Sequence, residues 1–371
     1  MKLQTRRNFI KSTAALAAGA ALVPAPASSK PNPAAAVSHF MYNSPNFNGK
    51  VFVNPIPTQT GLSSSIFKVL AEYAKDHPNR TPRIKPGPFP ADLNLLQNLP
   101  ADTLRITLIG HSSLLIEIDG KRILTDPVWV QRASPFQFLG PKRFFPASIA
   151  LDDLPPIDGI IISHDHFDHL DKETVKTLGK RSIPFFCSLG VGKILENWGI
   201  PKNQITEFDW WQEKEIWPGF KLIAAPARHF SGRGISHRNT TLWASYIIQG
   251  PKHKVYFGAD SGMHPLFKTI GEKYGPFDMA MLEIGAYNDL WKDIHMGPDN
   301  AAEAFLALNA NLMMPIHWGT FNLAFHAWTE PIERLLQLAK QKNIKLAVPK
   351  PGETFIYNGQ PHISKWWEPF K

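Results

Sequence analysis

One cysteine, Cys187, in 371 residues leaves no partner for an intramolecular disulfide and no thiolate cluster for a metal. Long apolar runs are missing as well. Beyond residue 25 none approaches the roughly 18 residues of a membrane helix, which excludes a multi-span membrane protein. The glycine-rich loops that cradle nucleotide phosphates are absent, since Gly190-Val191-Gly192 has no third glycine in register. No Gly-x-Ser-x-Gly turn offers a serine nucleophile. Nor is there a dense Lys/Arg stripe interleaved with aromatics. Four of the nine net positive charges, Lys2, Arg6, Arg7 and Lys11, fall in the first 27 residues, which hold no acid. The rest of the chain is only mildly basic, so no nucleic-acid partner is expected. What remains is a globular composition, 43% hydrophobic, 11% aromatic and 19% charged, which rules out a coiled coil or wholesale disorder. Metal chemistry, if present, has to rest on the 14 histidines and the carboxylates.

The amino terminus reads as an address. Thr5-Arg6-Arg7-Asn8-Phe9-Ile10-Lys11 precedes a weakly apolar Ala/Leu/Gly run to Val23, then Ala25-x-Ala27. A paired-arginine region, a short apolar stretch and small residues at the cleavage site are the parts of an export signal, and this one resembles the twin-arginine type. Residues 1–27 are therefore expected to engage the twin-arginine (Tat) export machinery. The mature chain would begin near Ser28 and be periplasmic or otherwise exported. An active, unprocessed chain in the cytoplasm would contradict this.

Residues 28–60, rich in Pro, Asn and Ser, read as a linker and extended arm, and residues 61–371 as a single domain. A helical apolar face spans 62–76. Strand-type runs follow at 104–109, 113–118, 121–125, 157–163, 183–187, 221–225, 241–249, 254–258, 278–284, 312–316, 345–348 and 353–357. Helical stretches lie between them at 171–178, 189–198, 298–309 and 330–342. Many strands with interspersed helices and no internal repeat indicate an α/β fold.

The sharpest feature is Ser163-His164-Asp165-His166-Phe167-Asp168-His169, which directly follows the apolar run Ile157–Ile162. So many polar groups desolvated together at a strand end are costly unless a metal satisfies them. The spacing lets His164 and His166 grip one ion while Asp168 and His169 grip another nearby. Further ligands are expected where other strand runs stop at His or Asp, which selects His229, Asp260 and His317. Seven ligands with Asp260 as a bridge would complete a dinuclear site. All-nitrogen and oxygen ligation suits zinc, with iron or manganese as alternatives. His39, His77, His237, His253, His264, His326 and His362 lie in polar or Pro-rich surroundings and read as surface or turn residues. His111 divides evenly between a role behind the ligands and a structural one.

The ligand order resembles the metallo-β-lactamase superfamily, which implies an αββα sandwich with its metals at one rim of the two sheets. Further motifs carry the likeness to one subfamily. They are Phe52-Val53-Asn54-Pro55, Ile109-Gly110-His111-Ser112, Leu124-Thr125-Asp126-Pro127-Val128, Ala133-Ser134-Pro135-Phe136 and Gly140-Pro141-Lys142-Arg143-Phe144. Asn239-Thr240-Thr241-Leu242-Trp243, Ile284-Gly285-Ala286-Tyr287 and Ile316-His317-Trp318-Gly319-Thr320-Phe321 complete the set. Together they resemble the N-acyl-phosphatidylethanolamine-hydrolysing phospholipases D, which are zinc phosphodiesterases. The resemblance implies two zinc ions, one held by His164, His166 and His229, the other by Asp168, His169 and His317, with Asp260 bridging. It also implies a catalytic part for Asp168, for His295 beside the substrate phosphate, and for Asp126 at the metal rim, where it could orient a ligand or the attacking hydroxide. The chain departs from the subfamily at Ile294, where the phospholipases carry glutamine.

The activity so implied is hydrolysis of a phospholipid-like diester, with a hydroxide generated between the ions attacking phosphorus. A zinc-dependent lactonase or carboxylic ester hydrolase on the same fold is the alternative, because fold alone does not separate these chemistries. Trp129, Phe136, Phe138, Phe144, Phe145, Trp210 and Trp211 read either as core or as an acyl-chain and membrane-contact surface.

Overall fold

The computed structural model describes residues 43–60, 68, 71, 72, 75–234 and 237–371. The export signal, His39 and most of the 62–76 helix lie outside the described residues. A short helix α1 (Leu93–Gln97) leads into strands β1 (Leu104–Gly110), β2 (Ser113–Ile118), β3 (Lys121–Thr125) and β4 (Gly159–Ile162). Helix α2 (Lys172–Gly179), β5 (Phe185–Ser188), α3 (Val191–Asn197) and β6 (Ile205–Phe208) follow. Then come β7 (Glu213–Trp217), β8 (Phe220–Ala225), β9 (Ser245–Gln249), β10 (Lys254–Phe257), α4 (Leu266–Tyr274) and β11 (Phe277–Glu283). The chain closes with α5 (Gly297–Ala307), β12 (Ala310–Ile316), α6 (Glu330–Lys342), β13 (Ala347–Val348), β14 (Thr354–Ile356) and β15 (His362–Ile363).

Two sheets result. The first has seven strands in the order β14-β1-β2-β3-β4-β5-β6, and the second six in the order β12-β11-β10-β9-β8-β7. Their inner strands are buried nearly end to end, as sheets covered on both faces require. Period-two alternation assigns the faces. Leu114 and Ile116 of β2 and Leu222 and Ala224 of β8 meet in the core between the sheets. Leu115 turns outward with Val175 of α2 and Leu195 of α3. Ile223 turns the other way, into the layer formed with α4, α5 and α6. The architecture is the αββα sandwich expected.

Three strands escape the sequence reading for visible reasons. β6 and β7 are edge strands, and Glu213-Lys214-Glu215 lacks the apolar alternation of an inner strand. β15 contributes two residues to a two-stranded pair. Helix α4 was missed because Gly271 interrupts its pattern. That glycine is required by packing, since a Cβ there would lie 2.1 Å from the carbonyl oxygen of Ala307. Among the described residues no helix is long and apolar enough to cross a membrane.

The arm is more than a linker. Phe52 is fully buried in the inter-sheet core, and its N–H donates to the carbonyl of Asn239 at 2.8 Å. His264 is also unlike the surface residue expected. It is buried and stacked on Phe267 with ring centroids 4.1 Å apart, and neither ring nitrogen has a hydrogen-bond partner. Burial, aided by the charge of Arg228, pushes its pKa down to about 3. The ring is thus neutral in the fold but protonated in the unfolded chain below about pH 6.5. Its contribution to stability is complete above that pH and is lost as pH falls toward 3. Between pH 7 and pH 5 the metal-free protein should lose about 2 kcal/mol through this residue. Denaturant titrations at both pH values should show His264→Phe losing less by that amount. An unchanged difference would mean the ring is charged in the fold.

Candidate metal centre

The site residues share one structural origin. His164 follows β4, His229 lies beyond β8, Asp260 beyond β10, and His317 directly follows β12. His111 follows β1, Asp126 follows β3, and Glu283 is the last residue of β11. In the first sheet β3 and β4 run parallel, and β1 runs with them because β2 opposes both β1 and β3. In the second, β10, β11 and β12 are parallel, and β8 joins them through antiparallel β9. All these residues therefore emerge at the C-terminal ends of co-directed strands. The chain turns sharply there, with His111 at φ 60°, Asp126 at φ 36° and His317 at φ 61°. Left-handed backbone at non-glycine residues is costly, and such strain gathers at functional sites.

One half of the centre is made of His164, His166, His229 and Asp260. Nε2 of His164 lies 2.9 Å, and Nε2 of His229 3.2 Å, from Nδ1 of His166. A tetrahedral ion with bonds of about 2.0–2.1 Å sets its nitrogen ligands roughly 3.3 Å apart, so this crowding is the spacing of ligands around a cation. The other nitrogens are already committed. Nδ1 of His229 donates to the carbonyl of Ile294 at 2.9 Å, and Nδ1 of His164 to the hydroxyl of Ser163 at 2.9 Å. Such partners fix the tautomer that a metal-binding ring needs. Burial holds the pKa of His166 down at about 4, and those of His164 and His229 well below the usual range. Neutral imidazoles keep their lone pairs available.

The second half brings together Asp168, His169 and His317, with His111 and Asp260 at its sides. Oδ1 of Asp260 lies 3.1 Å from Nε2 of His169 and 3.2 Å from Nε2 of His317. All three atoms are buried, yet none makes a hydrogen bond. Atoms that converge without bonding one another, from donors of nitrogen and oxygen only, fit a shared cation. The remaining oxygen of Asp260 faces the first half, 3.7 Å from His229 Nε2 and 3.9 Å from His164 Nε2. One carboxylate thus addresses both halves. Burial opposes charge on His317, but Asp260, Asp168 and Glu283 together outweigh it and push its pKa up to about 10. His169 is raised in the same way by Asp260 and Asp168 against burial. Protons on these two rings balance the carboxylates, and a cation would displace them.

Around the ligands stands a set of orienting groups. Asp126 is fully buried. Its Oδ2 accepts from His169 Nδ1 at 2.7 Å and from the Ser163 hydroxyl at 2.6 Å, while Oδ1 accepts from the Ser163 N–H at 2.8 Å. These bonds orient His169 directly and His164 through Ser163, as the first of the two parts expected of it at the metal rim. His111 Nε2 donates to Asp168 Oδ2 at 3.1 Å, a bond that orients this carboxylate. Asn54 accepts from the His229 N–H at 3.0 Å and donates to its carbonyl at 2.7 Å, so the arm clamps a ligand. Glu283 was missed. It ends a strand as the ligands do, but the sequence criterion admitted only His and Asp. Ser163 and Asn54 carried no spacing signal of their own.

The aromatic residues divide. Phe144, Phe145 and Trp210 are core, and Trp211 packs partly buried against it. The half-buried Trp129 donates its indole N–H to Ile149 at 2.8 Å. Phe136 and Phe138 stay exposed on one loop, ring against ring at 5.4 Å.

Residues 121–318 match the family model described as the beta-lactamase superfamily domain. A Caenorhabditis elegans N-acyl-phosphatidylethanolamine-hydrolysing phospholipase D is 35% identical over 314 residues, 78% of this chain and 87% of that protein. The chain belongs to the metallo-β-lactamase superfamily. Within that superfamily it is a metal-dependent hydrolase that resembles the N-acyl-phosphatidylethanolamine-hydrolysing phospholipases D. An uncharacterised protein of Mycobacterium tuberculosis is 41% identical over 344 residues, 90% of each chain. In fold the chain is similar to Igni18, a metallo hydrolase of Ignicoccus hospitalis. That structure has a TM-score of 0.55 and 24% identity, and the match covers 69% of this chain and 99% of that one.

Proposed function

We propose that this hydrolase is a dinuclear zinc phosphodiesterase that cleaves N-acyl-phosphatidylethanolamine-like phospholipids. The observation that carries the reading is that Asp260 faces two groups of candidate ligands, His164 and His229 through one oxygen and His169 and His317 through the other, with the ring of His295 packed against both His229 and His317. Likeness to the nematode phospholipase over most of both chains supports the substrate class. Positive charge one ring away from His166 supports an anionic substrate. The guanidinium of Arg238 lies 4.2 Å over the ring of Phe230, which in turn edges His166 at 4.4 Å. No carboxylate among the described residues pairs with Arg238. The exposed Phe136 and Phe138 suit contact with a lipid surface.

When bound, a zinc pair supplies Lewis acidity and a water acidified to near neutral pH. The chain's own residues do the rest. His164, His166 and His229 would hold one ion and Asp168, His169 and His317 the other, while Asp126, Ser163, His111 and Asn54 keep their geometry. His295 is held at Nδ1 by Glu283, and no hydrogen bond among the described residues ties its Nε2. Ile294, where the phospholipases carry glutamine, has a buried side chain and serves through its carbonyl, which holds His229.

A panel of phosphodiesters, carboxylic esters and lactones on zinc-loaded protein tests the reading, run with wild type and His295→Ala. Phosphodiester turnover should dominate. His295→Ala should keep its metal and lose about 10²–10³-fold in turnover, the size of one lost donor to developing charge. Ester or lactone cleavage that dominates in wild type would replace the phosphodiesterase with the lactonase reading.

A further inference from the structure

His295 occupies a place of its own. Its ring centroid is 5.1 Å from that of His229 and 5.3 Å from that of His317, on which it stacks. Nδ1 donates to Glu283 Oε2 at 2.6 Å, and no hydrogen bond ties Nε2. The carboxylate of Glu283 is fully buried, and its position is overdetermined. Oε1 accepts from the N–H of Ser261 at 2.9 Å and of Met296 at 3.2 Å, so Glu283 fastens both the turn that carries Asp260 and the turn that carries His295. His317 Nδ1 stands 3.8 Å from Oε2, beyond hydrogen-bonding reach. Glu283 and His295 lie close to Asp260 and His317, and the short bond of the carboxylate goes to His295 rather than to His317.

We propose that Glu283 is the positioning residue for proton donation by His295 to the leaving group. With Nδ1 anchored, the only N–H that His295 can direct into the site is at Nε2. The inference rests on the phosphodiesterase reading. As hydroxide oxygen bonds to phosphorus, the bond from phosphorus to the ester oxygen breaks and its electron pair goes to that oxygen. The Nε2 proton follows, giving a neutral alcohol, a phosphate monoester and neutral His295. The proton returns when the next water ionises to hydroxide, so atoms and charge balance over a cycle. An alkoxide leaving group needs this proton, whereas an aryl oxide such as 4-nitrophenolate leaves far more readily without one.

The test compares an N-acyl-phosphatidylethanolamine with a 4-nitrophenyl phosphodiester on zinc-loaded wild type, Glu283→Gln, His295→Ala and the double variant. Glutamine keeps an acceptor oxygen but removes the charge. On the alkyl diester Glu283→Gln should lower kcat about 10–100-fold with KM nearly constant and metal content at the wild-type level. The loss should be at least about tenfold smaller on the aryl diester. The double variant should be no slower than His295→Ala, because glutamine still offers an oxygen to the N–H groups of Ser261 and Met296 and the lost charge falls on the bond to that ring. The low-field proton resonance of the His295 Nδ1–H should be present in metal-free wild type and shifted or lost in Glu283→Gln. Equal losses on both diesters, additive losses in the double variant, or loss of metal in Glu283→Gln would each overturn the proposal. Wild type inactive on both diesters but active on esters would instead overturn the phosphodiesterase reading, and the proposal with it.

Discussion

Asp260→Ala should strip the centre of metal and abolish turnover, the largest effect expected of any single substitution in this chain. Its Oδ1 addresses His169 and His317 and its Oδ2 addresses His164 and His229, so one change withdraws negative charge from both halves. Breaking a buried pair by removing one partner costs about 3–5 kcal/mol, or roughly 10²–10⁴-fold in affinity for each ion it serves. The protons on His169 and His317 would go too, since Asp260 is the largest influence favouring them. His166→Ala is the control confined to one half. Nδ1 of that ring contacts Nε2 of His164 and His229, and among the described residues no hydrogen bond ties it to the second half. Metal analysis after loading should give about two zinc ions in wild type, none in Asp260→Ala, and fewer than two in His166→Ala. One ion in fully loaded wild type, or two retained in Asp260→Ala, would sink the dinuclear reading.

The difference between those variants shows what the sequence makes legible. A ligand that ends an apolar run is visible, because burial of the run and exposure of its end are both written in residue type. His229, Asp260 and His317 stand out for that reason, and the inner strands behind them do too. Glu283 gives the same signal and was lost to a restriction on residue type. The sequence reading left the part played by His111 open. That part depends on the left-handed turn between β1 and β2, where its carbonyl accepts from the His317 N–H at 3.2 Å. Asn54 lies 175 positions from His229, and the packing of Phe52 into the core, with the bonds of Arg228 to Pro57 and Thr58, brings them together. His264 was misread because Ser261-Gly262-Met263-His264-Pro265 has the Gly and Pro of a turn, while the fold buries the ring against Phe267 beside the core. Edge strands and the glycine-interrupted α4 fail for a related reason. Their pattern is set by what they pack against, not by their own alternation.

Asp126 is the residue whose orienting role is most consequential, and Asp126→Asn should expose it. Both of its oxygens accept, from the Ser163 N–H on one side and from the Ser163 hydroxyl and His169 Nδ1–H on the other. An amide places a donor on one of those sides whichever way it turns, so one N–H always meets another N–H or O–H. Asparagine tolerates the left-handed backbone at this position, so the substitution tests hydrogen bonding and not the turn. Loss of a partner behind a metal-binding ring typically weakens metal binding about 10–100-fold. Asp126 supports His169 directly and His164 through Ser163, so the two losses should compound to roughly 10²–10⁴-fold in overall loading. Ser163→Ala divides the effect, because it cuts the path to His164 and leaves the 2.7 Å bond to His169 intact. Chelator competition should then show two weakened ions in Asp126→Asn and chiefly one in Ser163→Ala. Wild-type affinity at both ions in Asp126→Asn would mean that packing alone orients the rings. Full metal content with turnover lost would instead return Asp126 to a direct part in the reaction.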